Sequence, residues 1–237
     1  MMSKNFVSFL ATILVACAGP LASAQIVIGS FEGGSTDGWA GQNGTTVGSY
    51  TNAQIGATVA TVGSSALNVY NGNAAGNFRW SVQLDNNDIP NLAALLTSYP
   101  TLKMDVTWVN AEWAPVPNSN WVRWDNIAIN SDAGWKQTND PQINDPVNPA
   151  FPGSWSPVDY PGPTNTRTLT YNLNQIGGWG VGNAFTQINL SVNYSPGYGA
   201  GVGGSFYVDN IRLVPEPGTI GLAGLALIGC AIRRRNS

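Results

Sequence analysis

An all-β sandwich, of the jelly-roll kind, is the fold class this sequence predicts, and three observations carry it. Apolar and polar residues alternate over short runs, the periodicity of strands with one buried face. Gly, Asn and Pro punctuate these runs at turn-like intervals, and glycine alone supplies 28 of the 237 residues. The body, residues 25–213, contains no cysteine, so its strands must be held by packing and not by disulfides.

Gln25 to Phe31 reads as the first strand, followed by Ala57 to Val62, Ala66 to Tyr70 and Phe78 to Leu84. One short helix is expected at Ile89 to Thr97, with Asp88 as N-cap and Pro90 in the first turn. In Thr101 to Asn110, Leu102, Met104, Val106 and Trp108 share one face while Lys103, Asp105 and Thr107 share the other. Trp121 to Asn130, Arg167 to Leu173, Phe185 to Tyr194 and Ser205 to Leu213 complete a set of about nine strands. Phe185 to Tyr194 sets Ile188, Leu190 and Val192 against Gln187, Asn189, Ser191 and Asn193, an uncharged, amide-rich face that suits a sugar groove or plain solvent. Between Ser131 and Asn165 stand seven prolines, with Asn139-Asp140-Pro141 echoed by Asn144-Asp145-Pro146. That stretch is either a long functional loop or the host of an unseen edge strand. The absence of a convincing internal repeat argues against a solenoid or propeller.

Composition removes several function classes. The chain has no histidine, which excludes Ser-His-Asp and Cys-His catalysis, His-ligated zinc and a histidine pH switch. The body holds six Lys or Arg against twelve Asp or Glu, a net charge of −6 that disfavours nucleic acid and anionic membranes as partners. Charged residues make up 10% of the chain where about 25% is typical, and Trp occurs nine times.

Both ends read as sorting signals. Lys4, the apolar run Phe6 to Ala16 and Ala22-Ser23-Ala24 form a secretory signal peptide, residues 1–24, to be cut by signal peptidase before Gln25. Leu14-Val15-Ala16-Cys17 offers a competing layout, the order that precedes a lipid-modified cysteine. At the other end, residues 214–237 contain Pro215-Glu216-Pro217, an apolar run from Thr219 to Ile232, and Arg233, Arg234 and Arg235. A run this short is a marginal span, and the arginines are the cationic stop that the positive-inside rule requires. The order of these elements resembles the PEP-CTERM sorting signal. That resemblance implies transient insertion in the inner membrane, removal of the tail by an exosortase, and residence at the cell surface or in an extracellular polysaccharide matrix or biofilm. An ordinary tail anchor is the alternative.

A second resemblance rests on Phe31-Glu32 with Asp37-Gly38-Trp39 near the start and Phe206-Tyr207-Val208-Asp209-Asn210-Ile211-Arg212-Leu213 at the close. These are similar to the first and last strands of carbohydrate-binding-module jelly rolls of the galactose-binding-like type, in which the two strands pair. The resemblance implies a structural calcium ion at their junction, to which Glu32 and Asp209 contribute carboxylate oxygens. Calcium takes six to eight hard oxygen ligands, and an Asp inside so apolar a strand is otherwise a costly buried charge. The residues alone leave a second reading open, in which Asp209 caps a turn or pairs with Arg212.

Trp108, Trp113, Trp121, Trp124 and Trp135 fall close together, interleaved with Asn110, Asn118, Asn120, Arg123, Asp125 and Lys136. A sugar stacks its C–H face on an aromatic ring while its hydroxyls need amide or guanidinium partners, so this interleaving suits a glycan groove. Trp39 and Trp108 are expected in the core. Trp113, Trp121, Trp124 and Trp135, with Arg123, are the candidate carbohydrate contacts. Glu112 with Asp125 or Asp105 is the pairing near the cluster that glycoside hydrolysis would need, although nothing in the spacing demands it. The expected function is non-catalytic binding of extracellular polysaccharide or a place in the matrix. A purely structural protein without a glycan site comes second, and a glycoside hydrolase or polysaccharide lyase third.

Overall fold

The computed structural model describes residues 25–70, 80–113, 122–138, 162–180, 184–194 and 204–215. Both sorting signals, apart from Val214 and Pro215, lie outside these, as do Phe78, Trp121 and most of the proline-rich stretch.

Two antiparallel sheets form a sandwich within the compact unit Gln25–Val214. The strands are β1 (Ile26–Gly29), β2 (Ala40–Gln42), β3 (Thr46–Thr51), β4 (Ser65–Tyr70), β5 (Ser81–Asp85), β6 (Thr101–Val109), β7 (Val122–Ser131), β8 (Gly134–Thr138), β9 (Thr164–Asn172), β10 (Thr186–Tyr194) and β11 (Phe206–Val214). The first sheet runs β3-β4-β11-β6-β9, and β1 also pairs with β11; the second runs β2-β5-β10-β7-β8. Along one edge of β11, β4 pairs with Phe206 to Val208 and β1 with Ile211 to Leu213, so the first and last strands meet as expected.

Alternation builds the core directly. Leu102, Met104, Val106 and Trp108 of β6 are buried, and Ile188, Leu190 and Val192 of β10 face them from the other sheet. Full burial of each such aliphatic side chain is worth roughly 1.5–3 kcal/mol, which replaces the missing disulfides. In β11 a bulge falls between Asp209 and Arg212, with Asn210 at φ 51°. Asn tolerates this left-handed region, and the extra residue resets the alternation so that Phe206 and Val208 before it and Ile211 and Leu213 after it all point inward. At the end of β1 the chain packs so closely that a Cβ on Gly29 would lie 2.7 Å from the Phe31 ring.

Two expectations need correction, one open alternative is decided, and two strands are added. The stretch Ala57 to Val62 is not a strand. Its amides are taken by side chains: Asn52 Oδ1 accepts from Val59 and Ala60, and Asp209 Oδ2 from Thr61 and Val62. It follows the one-turn helix α1 (Asn52–Ile55) and covers the outer face of the first sheet, where Val59, Ala66 and Tyr207 form a second small core. The expected helix at Ile89 begins later, as α2 (Leu92–Ser98), because Asp88 and Ile89 instead donate to Asp85 in a turn. Finally, the stretch after Ser131 does hold an edge strand, β8, and β2 and β3 add two more that alternation did not reveal.

Candidate functional site

Of the four candidate tryptophans, the three that are described do not share a surface. Trp113 ends the one-turn helix α3 (Asn110–Trp113) and is wholly buried, its indole N–H donating to the Ser205 carbonyl at 3.1 Å. Its ring lies 4.7 Å from Phe206 and 5.4 Å from Trp80. Trp124 is also buried, edge-on to Phe206 at 5.6 Å. Both are therefore core residues and not glycan contacts. For Trp113 the ring finds apolar neighbours and the N–H a carbonyl, so burial of the whole side chain wins over exposure, whereas Trp124 is buried by ring packing with its indole N–H unpartnered. Trp39 and Trp108 are core as expected. Trp121 lies outside the described residues, and of Arg123 only the backbone, paired with Asn193, is described.

Of the three described, Trp135 alone is exposed, at 47%. It sits on the edge strand β8 opposite Asn130, and its indole N–H donates to Gln137 Oε1 at 2.7 Å. Register carries this row across the second sheet: Trp135 faces Asn130, Asn130 faces Gln187, and Gln187 faces Asp85. The next row runs Gln137, Ala128, Asn189, Gln83 and Ala40, with Ser191 opposite Asn126 beyond it. Because Ile127, Ile129, Ile188 and Leu190 fill the core, all of these point to the outer face. Gln42 adds a hydrogen bond to Gln83 at the far edge.

This outer face has a buried floor and exposed margins. Asn126, Asn189 and Ser191 are each less than 5% exposed, whereas Trp135 and Gln137 stand at the rim. Asn189 donates to Gln187 Oε1 at 3.3 Å, but its own Oδ1 has no hydrogen-bond partner. A buried amide oxygen left unpaired costs about 1–3 kcal/mol, so it marks where a donor from outside the chain would be welcome. Among the described side chains of the face, Asp85 is the one charged group. Lys136 lies on the other side of β8, against Gly178.

Two of the acids singled out for catalysis, Glu112 and Asp105, are occupied elsewhere. Glu112 accepts from the Tyr207 hydroxyl at 2.6 Å and from the Ser205 amide at 3.1 Å. Burial, with Glu112 beside it, pushes the Tyr207 phenol well above its ordinary pKa, so it remains a donor. Asp105 accepts from Thr168 and Asn210, with Arg212 at 3.6 Å. The side chain of Asp125 is not described.

Glu32 and Asp209, the expected calcium ligands, each accept hydrogen bonds from the segment 61–65. Glu32 accepts from the Ser64 and Ser65 amides and the Ser64 hydroxyl, which hold its carboxyl below the usual range. Asp209 is fully buried, and burial raises its pKa against the opposing pull of the Val62, Thr61 and Asn210 amides. Arg212 pairs with Asp105 and not with Asp209. Among the described residues no group of three or more acidic, His or Cys side chains is placed to hold a metal ion.

Residues 213–235 match the PEP-CTERM protein-sorting motif. This PEP-CTERM segment begins at Leu213, inside the last strand. No curated protein sequence matched the chain. Among solved structures the sandwich is similar to the CBM22-1–CBM22-2 tandem domain of Paenibacillus barcinonensis Xyn10C, at 16% identity, covering 84% of this chain with a TM-score of 0.43. The chain spans 49% of that tandem protein. It is also similar to the family 11 carbohydrate-binding module of the Clostridium thermocellum cellulase Lic26A-Cel5E, at 16% identity, covering 82% of this chain and 96% of that one, TM-score 0.40. A third is the K2 cleaved adhesin domain of Lys-gingipain, at 11% identity, 81% and 98% coverage and TM-score 0.40.

Proposed function

We infer that this is an exported, non-catalytic protein whose second sheet binds a polysaccharide on its outer face. The observation that carries the reading is the unpartnered, buried Oδ1 of Asn189, set in an uncharged amide row whose neighbouring row ends in the exposed Trp135. Sugar hydroxyls donate to amide oxygens and accept from amide N–H groups, and an exposed indole offers a stacking face beside them. With no cation among the described side chains of that face, the expected ligand is neutral or, where Arg123 contributes, weakly acidic. Trp121 and Arg123 remain candidate contributors to the same groove.

The sorting motif supports export, with an exosortase removing the tail and signal peptidase the leader. Intact-mass analysis of protein from the native host is expected to give a chain beginning at Gln25 and lacking Arg233 to Arg235; recovery of the full tail would defeat that step.

Binding is tested by a glycan screen followed by a tryptophan-fluorescence titration of Trp135→Ala and Asn189→Ala. Each substitution is expected to weaken binding about tenfold, the loss of roughly 1.4 kcal/mol, without release of reducing ends. A broad screen with no ligand, or binding indifferent to both substitutions, would overturn the reading. The burial of Asn126, Asn189 and Ser191 favours a second reading, a matrix protein that keeps this face covered, and an empty screen is its signature.

A further inference from the structure

Glu32 follows the first strand and Asp209 lies in the last, and both carboxylates face the same stretch of chain, Thr61 to Ser65. Glu32 Oε1 accepts from the Ser64 amide at 2.9 Å and the Ser65 amide at 3.0 Å, while Oε2 accepts from the Ser64 hydroxyl at 3.0 Å. Asp209 Oδ2 accepts from the Thr61 amide at 2.7 Å and the Val62 amide at 2.8 Å, and Oδ1 from the Asn210 amide at 2.6 Å. The Thr61 hydroxyl lies 2.8 Å from Asp105 Oδ2 and 3.1 Å from Asp209 Oδ2, bridging the cross-strand pair.

A carboxylate offers about four lone-pair positions. On Asp209, Oδ2 accepts from the Thr61 and Val62 amides with the Thr61 hydroxyl beside it, and Oδ1 accepts from the Asn210 amide. Asp105 receives Thr168, Thr61 and Asn210, with the Arg212 guanidinium 3.6 Å away. A calcium ion needs oxygens with lone pairs turned toward it, and these groups present donors and a cation instead. We propose that the segment 61–65 closes the junction of first and last strands in place of a cation, so that this jelly roll is held without calcium. The chemistry is encoded locally. Thr61 and Ser64 supply hydroxyls beside their amides. Gly63, at φ +68°, brings the chain so near Glu32 that a Cβ would overlap its carboxylate. The strap thus formed leads into β4 and covers Tyr207 and Asp209, which are 2% and 0% exposed.

The test is thermal unfolding of the purified protein in excess EDTA and in millimolar calcium, for the native sequence, Thr61→Val and Gly63→Ala. The expected result is a melting temperature indifferent to EDTA and calcium, with both variants melting several degrees lower by the same amount in the two buffers. Thr61→Val keeps the side-chain volume and the backbone, so it reads the strap even where Gly63→Ala fails to fold. A melting temperature that EDTA lowers by about 5 °C and calcium restores would overturn the proposal, as would Thr61→Val melting like the native protein in both buffers.

Discussion

On the outer face of the first sheet, Asp105, Asp209 and Glu112 each accept hydrogen bonds from neighbouring groups, whereas on the outer face of the second, Asn189 keeps a buried amide oxygen without a partner. The two faces stand on the same core and alternate by the same rule. What separates them is the chain that crosses them. On the first face the strap after α1 gives its amides to Asp209 and Glu32, and neighbouring side chains and the Ser205 amide serve Asp105 and Glu112; charged acceptors suit that task because amide-to-carboxylate bonds are the strong ones. Neutral amides suit the second face, since an amide can donate and accept at once and adapts to an incoming hydroxyl. A face completed by its own chain has stability as its readout, and a face left incomplete has binding.

The largest effect that would break this division concerns tryptophan. Trp113→Ala removes a ring packed on Trp80 and Phe206 and is expected to cost about 3–5 kcal/mol, enough to prevent folding in a marginal domain. Trp135→Ala should change stability by no more than about 0.5 kcal/mol, as exposed positions usually do. Denaturant melts of the two variants decide it, and equal losses would show that the second sheet's rim is as structural as the core.

Much of this fold was legible. β6 and β10 alternate over nine residues each, and the structure places their apolar faces inward as read. The pairing of first and last strands was implied by residues at the two ends. Less visible were β2 and β3, Ala40–Gln42 and Thr46–Thr51, because short strands of Gly, Ser, Thr and Gln carry no apolar period. Ala57 to Val62 has such a period and is still not a strand, since Asn52 and Asp209 capture its amides; Asp209 is about 150 residues away in sequence, and no local pattern reports on it. The site was half visible. The amide face of β10 and Trp135 were both read, but their alignment in adjoining rows depends on β8 pairing with β7, a register that sequence does not specify. Trp113 and Trp124 were misread because burial of a loop-flanking tryptophan is decided by what folds over it.

A middle-sized effect sharpens the contrast. Tyr207→Phe deletes the hydroxyl that donates to Glu112 and leaves a charged acceptor short of one bond. A loss of about 1.5–3 kcal/mol is expected, the range for hydrogen bonds to charged groups. On the second face, Asn189→Ala should cost less, because its oxygen has no protein partner to lose, yet it should weaken glycan binding while Tyr207→Phe leaves binding unchanged. Parallel urea melts and glycan titrations of the two variants provide the check, and a larger stability loss for Asn189→Ala would remove the distinction.

The smallest effect is that of pH, and it separates the faces by charge. Asp37 holds the turn after β1: burial pushes its pKa up, but the Phe31 and Ser30 amides and the Ser35 and Ser30 side chains outweigh this and leave it below its ordinary value. A carboxyl whose folded pKa is depressed gives stability that is fully present above the unfolded value, about 3.9, and is lost as pH falls through the folded value. Asp209 has the opposite sign, because burial raises its folded pKa and the native state takes up that proton before the unfolded chain does; acid relieves its burial cost and does not add to the loss. Acid destabilisation should therefore respond to Asp37 and not to Asp209. Asp37→Asn is expected to melt lower than the native protein at neutral pH, with the gap narrowing as pH falls below about 4, because the native protein loses what the variant never had. The glycan titration, resting on neutral amides and an indole, should stay flat between neutral and mildly alkaline pH. A gap that widens in acid would reverse the sign assigned to Asp37, and a binding constant that changes over that neutral range would mean that an ionisable group takes part beside the amides and the indole.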